Sequence, residues 1–478
     1  MTIIYDRWWT LKNGRFFEET PDNTKEIVED YLYFPATTTT ITTTDLANLP
    51  VADIIDKLMD QPGSWSLVYF NAKLKKIFIG RDVFGRQSLV INPELMMIGC
   101  RVHPETSKGS WLEVPFGQIT VLDLDVSASE RNAVIYSYLH DYPEETIENY
   151  LTDWNTERIH VDNKKAALLN VSRNSEKEGL STLNAQLLFE KVSEATKILL
   201  RNYCTSHVAV CLSGGVDSTF IAHVAHASTP TEMHIDLINV AFGNSEKECE
   251  QAPDRNRARK ALDSLRVAYP NRKFRLLLVN VDSETLETYR IASIAPAAQP
   301  ASTVLDDSLS CVLWFAVRAE GMDSDTGENV KSTATTCLLG SGADELLAGY
   351  ARHRTRFEKE RIVENVAEEC ENELRRLGSR NGGRDARVAA QLGKTILSPL
   401  LEDSVVSWLN SLPVTDKWDL SLPRGIGEKL LLRESVKLLG SPYDAPKQAM
   451  QFGSRMAKMS NNGNSAIKGS DKSPHLLK

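Results

Sequence analysis

The chain alternates short apolar runs with polar breaks that carry glycine, asparagine or charge. Trp65-Ser66-Leu67-Val68-Tyr69-Phe70 and Lys76-Ile77-Phe78-Ile79-Gly80 predict two strands, and Asn71-Ala72-Lys73 predicts the turn of a hairpin between them. Apolar positions at Leu183, Leu187, Leu188, Val192, Ala195 and Leu199 have helical spacing. The compact apolar run Val208–Leu212 follows and predicts a buried parallel strand. Ile235–Phe242, Phe274–Val281 and Thr336–Leu339 predict further strands, with a charged helix near Asp254–Ala268 between the first two. Strands that alternate with helices at this spacing predict an α/β fold with a doubly wound parallel sheet. After residue 345 helices dominate to about residue 460.

The same pattern divides the chain. Residues 1–125 form a first unit, 126–182 a polar linker with a helix around Pro143–Leu151, and 183–460 the α/β domain with a helical C-terminal part. Residues 461–478, rich in Asn, Gly, Ser and Lys, are expected to be a disordered tail. The Thr37–Thr44 run is expected as an exposed loop or edge strand, and Gly321–Lys331 as a surface loop.

Composition narrows the class. At 478 residues, 42% hydrophobic and 25% charged, the chain is a soluble globular type with room for two or three cores. A net charge of −9 gives no support for a nucleic-acid surface. Seven cysteines without a C-x-x-C pair suit a reducing compartment, as small packed hydrophobes. No apolar run reaches the roughly 18 residues of a membrane span. Asp6 and Arg7 are not a charged-then-apolar leader, so the expected location is the cytoplasm.

The chemistry concentrates in Ser213-Gly214-Gly215-Val216-Asp217-Ser218, which follows the Val208–Leu212 strand and opens a helical pattern. A glycine turn at a helix N-terminus gathers free backbone N–H groups and partial positive charge, which suits a phosphate or pyrophosphate. Ser213, Ser218 and Thr219 add hydroxyl donors. Asp217 beside phosphate is repulsive unless a divalent cation lies between them. The stretch lacks the lysine of a Walker A loop and the spacing of G-x-G-x-x-G. It resembles instead the PP-loop of the ATP pyrophosphatases.

Taken with two later stretches, it resembles the glutamine-hydrolysing asparagine synthetases, and most of all their eukaryotic branch of asparagine synthetase domain-containing proteins. Leu338-Leu339-Gly340-Ser341-Gly342-Ala343-Asp344-Glu345 is similar to the family's S-G-E-G-A-D-E, and Glu428-Lys429 with Arg433 to its E-K-x-x-L-R. The resemblance covers roughly residues 183–460. It implies Mg2+ and ATP as cofactors, with adenylation of the aspartate side-chain carboxylate, release of pyrophosphate and amidation by ammonia. It implies a nucleotide site of Ser213, Gly214, Gly215, Asp217, Ser218, Val240, Gly340, Ser341 and Gly342. Asp217 and Asp344 are the implied metal carboxylates, and Lys429, Asp344 and Glu345 the implied catalytic group. A solvated helix lysine, a helix N-cap at Asp344 and plain core at Val240 are the alternative readings of those positions.

Departures count as well. The family glutamate of S-G-E-G is Ser341, whose hydroxyl is no base at neutral pH. E-x-R-x-P-F-L-D becomes Thr395 through Glu402, with Thr395 and Leu397 in place of Glu and Arg. R-x-K-E-x-F, associated with pyrophosphate, becomes Lys447 through Phe452, with Ala449-Met450 in place of Lys-Glu. The first unit resembles the family's N-terminal-nucleophile glutaminase domain through Gly63-Ser64-Trp65 and Gly80–Arg86, in shortened form. Asn13-Gly14 matches its oxyanion-hole pair or is a plain type I′ turn. Position 2 is Thr2 rather than the nucleophilic cysteine, so glutamine hydrolysis is not expected. His223 and His226, at i,i+3, are expected as packed polar positions rather than metal ligands. The basic positions from Lys359 to Arg387 are expected on a solvated helix face. The expected partners are small molecules, namely ATP, aspartate and ammonia or glutamine. No nucleic acid or membrane partner is expected, and a homo-oligomer or protein partner stays open. The rival to a ligase is a nucleotide-binding scaffold of the same fold.

Overall fold

A computed structural model describes residues 7–12, 15–35, 41–106, 111–124, 132–137, 151, 154–174, 181–203, 207–443, 446, 448–460 and 468–476. Asn13, Gly14, Lys447 and most of the helix expected around Pro143–Leu151 lie outside them.

The N-terminal third folds as two six-stranded sheets. One has the order β3-β2-β1-β8-β7-β9 and is antiparallel throughout (β1 Trp8–Lys12, β2 Arg15–Thr20, β3 Asn23–Ile27, β7 Val90–Asn92, β8 Met97–Gly99, β9 Leu112–Glu113). The other has the order β12-β11-β10-β6-β5-β4 (β4 Tyr31–Tyr33, β5 Ser66–Asn71, β6 Lys76–Arg81, β10 Gln118–Asp123, β11 Asn132–Ser137, β12 Asn155–His160). The expected hairpin is β5–β6, with Asn71 opposite Lys76.

Alternation along β5 explains the layering. Val68 and Phe70 face one way, into a core with Trp9, Phe16 and Ile91 of the first sheet. Leu67 and Tyr69 face the other way, against Ile54, Ile55 and Leu58 of the helix Val51–Met59.

The linker expectation needs correction. β11 and β12, from inside residues 126–182, extend the second sheet, β11 antiparallel to β10 and β12 parallel to β11. β12 is an edge strand, almost wholly exposed along Asn155–His160, so it carries no apolar alternation for a reader to find. Lys164–Leu169 then forms a 3-10 turn that seats Leu168 and Leu169 near the helix Asp403–Ser411, where Asn410 Nδ2 donates to the Leu168 carbonyl at 2.8 Å.

The C-terminal part is built on a seven-stranded sheet, order β17-β16-β15-β14-β13-β18-β19. β13 Val208–Cys211, β14 Ile235–Phe242, β15 Phe274–Val281, β18 Thr336–Leu338 and β19 Thr395–Leu397 run parallel. All eight residues of β14 are buried, as a strand covered on both faces by helices requires. The chain steps outward from β13 to β14 and β15, then returns to β18 on the other side of β13. The direction of strand order therefore reverses between β13 and β18, where a crevice opens at the carboxyl ends.

Three more expectations are revised. Gly321–Lys331 is not a plain loop but the edge hairpin of β16 Glu320–Asp323 and β17 Asn329–Lys331, polar because it faces solvent. Residues 468–476 of the expected tail pack on the fold, with Leu476 at 3% exposure and Lys472 bridged to Thr303. Arg384 and Arg387, expected on a solvated face, are buried: Arg384 pairs with Asp306 and Asp385, Arg387 with Glu113. No helix among the described residues is long and apolar enough to cross a membrane.

Candidate functional site

At the carboxyl end of β13, Leu212–Gly215 turns the chain into the helix Val216–Ser228. Gly214 has φ +72°, and a Cβ there would lie 2.2 Å from the Arg257 carbonyl carbon, so only glycine lets the helix Pro253–Ala268 press so close. Gly215 is the helix N-cap. Ser213 Oγ accepts from the Gly215 N–H at 3.2 Å and lies 3.2 Å from Ser218 Oγ. The first-turn amides have no intrahelical acceptor, the usual condition for holding an anion.

One strand over, β18 delivers Leu339–Gly342 beside that turn. A Cβ on Gly340 would lie 2.8 Å from Asp217 Cβ, which measures how tightly the two strand ends approach. Gly342 takes φ +96° as N-cap of the short helix Ala343–Leu346, and its own near neighbour is Leu401 rather than the turn.

The third contribution comes from far along the chain. Lys429 caps the helix Leu430–Leu438 with φ +55°, and its N–H donates to the Leu347 carbonyl at 3.0 Å. Its side chain is buried, with Nζ 2.7 Å from both Asp217 carboxylate oxygens and 2.8 Å from Asp344 Oδ1. Gly349 makes room: a Cβ on it would sit 2.1 Å from both Asp344 Oδ1 and Lys429 Cε.

Glu345 is separate from this cluster. It is 3% exposed, and the Tyr350 hydroxyl donates to its Oε1 at 2.5 Å. Burial raises its carboxyl above the ordinary range, against the hydrogen bond from Tyr350. Glu428, next to Lys429, is instead held low: burial would raise it, but hydrogen bonds from Arg354 and the Gly425 N–H prevail.

These groups border a cavity of about 460 Å³. Ser213, Gly215, Asp217, Ser218 and Val240 line one part, with Gly340, Ser341, Asp344, Glu345 and Lys429. Gly214 and Gly342 support the walls without lining them. Asn239, beside Val240, lines it too, and its buried Oδ1 has no hydrogen-bond partner among the described residues. Elsewhere in the wall Glu373 holds Arg352 at 2.6 Å and Arg380 at 2.8 Å.

A smaller cavity of about 40 Å³ is lined by Ser341, Asp385 and Glu402, and by Ser64, Phe84 and Arg86 from loops of the N-terminal part. Burial pushes the Glu402 carboxyl up to about 7, against the attraction of Arg86.

Sequence reasoning passed over Asp254, Arg257 and Glu373. The first two stand one and four positions after Pro253, which marks only the start of their helix, whereas Glu373 sits among many acids and is set apart by its burial.

The two histidines of the loop helix are absorbed by packing. His223 lies 2.9 Å from both Tyr269 Oη and Ser441 Oγ, and His226 stacks on Tyr269 at 3.6 Å. At the opposite end of the sheet His207, His234 and Asp236 come together, and Arg275 donates to both Asp236 oxygens at 2.7 and 2.9 Å.

A reversal of strand order, a glycine turn at a helix N-terminus and paired carboxylates at adjacent strand ends define a PP-loop type α/β domain. The family model described as asparagine synthase matches residues 190–399. Asparagine synthetase domain-containing protein 1 of Mus musculus is 34% identical over 507 residues, covering 83% of this chain and 79% of its own. The Bos taurus and Gallus gallus proteins of that name are each 33% identical, over 87% of this chain and 81% of theirs. The chain belongs to the asparagine synthase family, in the branch of the asparagine synthetase domain-containing proteins.

Proposed function

We propose that the chain is an ATP-dependent amide ligase of the asparagine synthetase type. In this reading ATP lies in the 460 Å³ cavity with its phosphates on Ser213–Ser218 and its base toward Asn239 and Val240. An aspartate side-chain carboxylate attacks the α-phosphorus and pyrophosphate leaves. Ammonia then displaces AMP to give the amide. The observation that carries the reading is Lys429 held between Asp217 and Asp344 at the cavity wall.

The residues fit the cofactor that such a reaction needs. Two carboxylates from adjacent strand ends are hard oxygen donors, and an ammonium already sits in the cationic place between them. Asp217 and Asp344 would hold Mg2+, which supplies charge neutralisation on the phosphates. Lys429, freed from one carboxylate, stabilises negative charge developing at the reacting phosphorus. The loop amides orient the leaving group at no cost in reorganisation. The orphan Asn239 Oδ1 supplies an acceptor for an exocyclic amine of the base. The reading places the protein in the cytoplasm, with small molecules as its partners.

The test is ATP–pyrophosphate exchange with Mg2+, with and without aspartate, using Asp217→Ala as control. Aspartate-dependent exchange that the substitution abolishes is the expected result. Ser341, Thr395 and Leu397, which stand where the family has Glu, Glu and Arg, favour a second reading, a nucleotide-binding scaffold. Mg-ATP binding without exchange would overturn the ligase and leave that scaffold.

A further inference from the structure

Six cationic side chains line the large cavity: Arg257, Arg352, Arg380, Arg384, Lys429 and Arg433. Five are held by short bonds. Lys429 lies between Asp217 and Asp344, Arg352 and Arg380 share Glu373, and Arg384 pairs with Asp306 and Asp385. Arg433 donates to the carbonyls of Glu428 and Tyr443 at 2.8 and 3.1 Å.

Arg257 differs. Its Nη1 donates to the neutral Gln448 Oε1 at 3.0 Å and reaches Asp254 Oδ1 only at 3.5 Å. Burial pushes the Asp254 carboxyl up to about 7, against the pull of Arg257, so much of that carboxyl is neutral near pH 7 and the guanidinium charge is poorly compensated.

Two features place Arg257 beside the glycine turn. The Arg257 backbone is the surface on which Gly214 rests, 2.2 Å from the place a Gly214 Cβ would take. Gln448, which its guanidinium grips, is the residue before Ala449-Met450, where the family pattern has Lys-Glu. Arg257, on the helix Pro253–Ala268, therefore brings a cation to the segment in which the family pattern has a lysine and this chain has Ala449.

We propose that Arg257 is the cation that recognises the β,γ-diphosphate portion of the nucleotide, in place of the lysine replaced by Ala449. The inference rests on the nucleotide-binding part of the reading above and not on amide formation. Its side chain is 26% exposed, so a ligand in the cavity can meet it without rearrangement of the core.

The experiment is calorimetric titration of the full chain with Mg-ATP, Mg-pyrophosphate and AMP, on wild type, Arg257→Ala, Arg257→Gln and Arg257→Lys, with melting temperatures alongside. The expected result is a loss of about tenfold or more in affinity for ATP and pyrophosphate in the Ala and Gln variants. AMP affinity stays within about twofold, and Lys recovers part of the loss. An equal loss for AMP, or no loss for ATP, overturns the assignment while wild-type ATP binding still stands. Wild type that binds neither ATP nor AMP overturns the nucleotide site itself, and this inference with it.

Discussion

His223 shows how a single side chain near the glycine turn sets a pH dependence. Its ring, 0% exposed on the loop helix, lies between Tyr269 Oη and Ser441 Oγ, and burial, then the neighbouring His226, lowers its pKa to about 3. In the unfolded chain a histidine titrates near 6.5. Between those values the unfolded state binds the extra proton, so the histidine's contribution to stability is complete above pH 6.5 and lost as pH falls toward 3. His226 and His353, also lowered by burial, act with the same sign, while the raised Glu402 and Asp254 act with the opposite one. His223→Gln, which keeps a donor and an acceptor, should flatten the acid-side slope by up to roughly 1.4 kcal/mol per pH unit. Urea midpoints between pH 7 and pH 4 measure this. A slope equal to that of wild type would show that the ring is not held neutral.

Between elements, buried charge joins the N-terminal sheets to the synthase part. Arg86, in the loop after β6, lies 2.9 Å from Asp82, 3.3 Å from Glu402 and 3.1 Å from Asp403, and donates to the carbonyls of Gly63 and Leu401. Removing it takes the cation from beside Asp82 and Glu402 in a buried place, while Lys165 still holds Asp403. Arg86→Met should therefore cost about 3–5 kcal/mol in chemical denaturation, and adding Glu402→Gln should recover part of it. A loss below about 1 kcal/mol would mean that the cluster relaxes into solvent. The stretch Arg81–Arg86 was legible as a family resemblance, but the Glu402 and Asp403 partners of Arg86 lie more than 300 positions away, and no local pattern announces them. The same limit separates the strands that could be read from those that could not. β14 and β15 are dense in apolar residues because helices cover the sheet, and their predicted bounds match the observed Ile235–Phe242 and Phe274–Val281. β12 and the β16–β17 hairpin are sheet edges whose stabilisation is backbone pairing, which leaves no mark on side-chain hydrophobicity. At the site, the turn was legible from its strand–glycine–helix context and Asp344 from the resemblance of Leu338–Glu345 to the family pattern. The burial of Lys429 between two acids depends on a left-handed backbone that its sequence does not advertise.

At the scale of the whole molecule, the C-terminal segment completes a wall of the site. Residues 468–476 read as solvated tail because they are short and polar, yet two of their carbonyls accept the N–H groups that open the helix Val304–Arg318. Val304 donates to Asp471 at 2.8 Å and Leu305 to Gly469 at 2.9 Å. Such first-turn amides have no partner inside the helix, so the segment does work that a capping side chain would otherwise share. Leu476 packs into the core that includes Val312, Leu313 and Ala316 of that helix, and those three residues also line the large cavity. Ser473 donates to the buried Asp307, itself paired with Arg290 at 3.1 Å. Deleting residues 468–478 exposes the Leu476 site, a loss of about 1.5–3 kcal/mol, and strips the helix of its acceptors. The expected outcome is a melting temperature lower by at least roughly 4 °C. ATP affinity should fall with it, because the freed helix no longer holds its side of the cavity. Leu476→Ala alone should reproduce part of the thermal loss with smaller change in ATP binding, since the backbone acceptors remain. A truncated chain that melts and binds ATP as wild type does would show that the segment only rests on the surface, and that the Val304–Arg318 wall stands by its own packing.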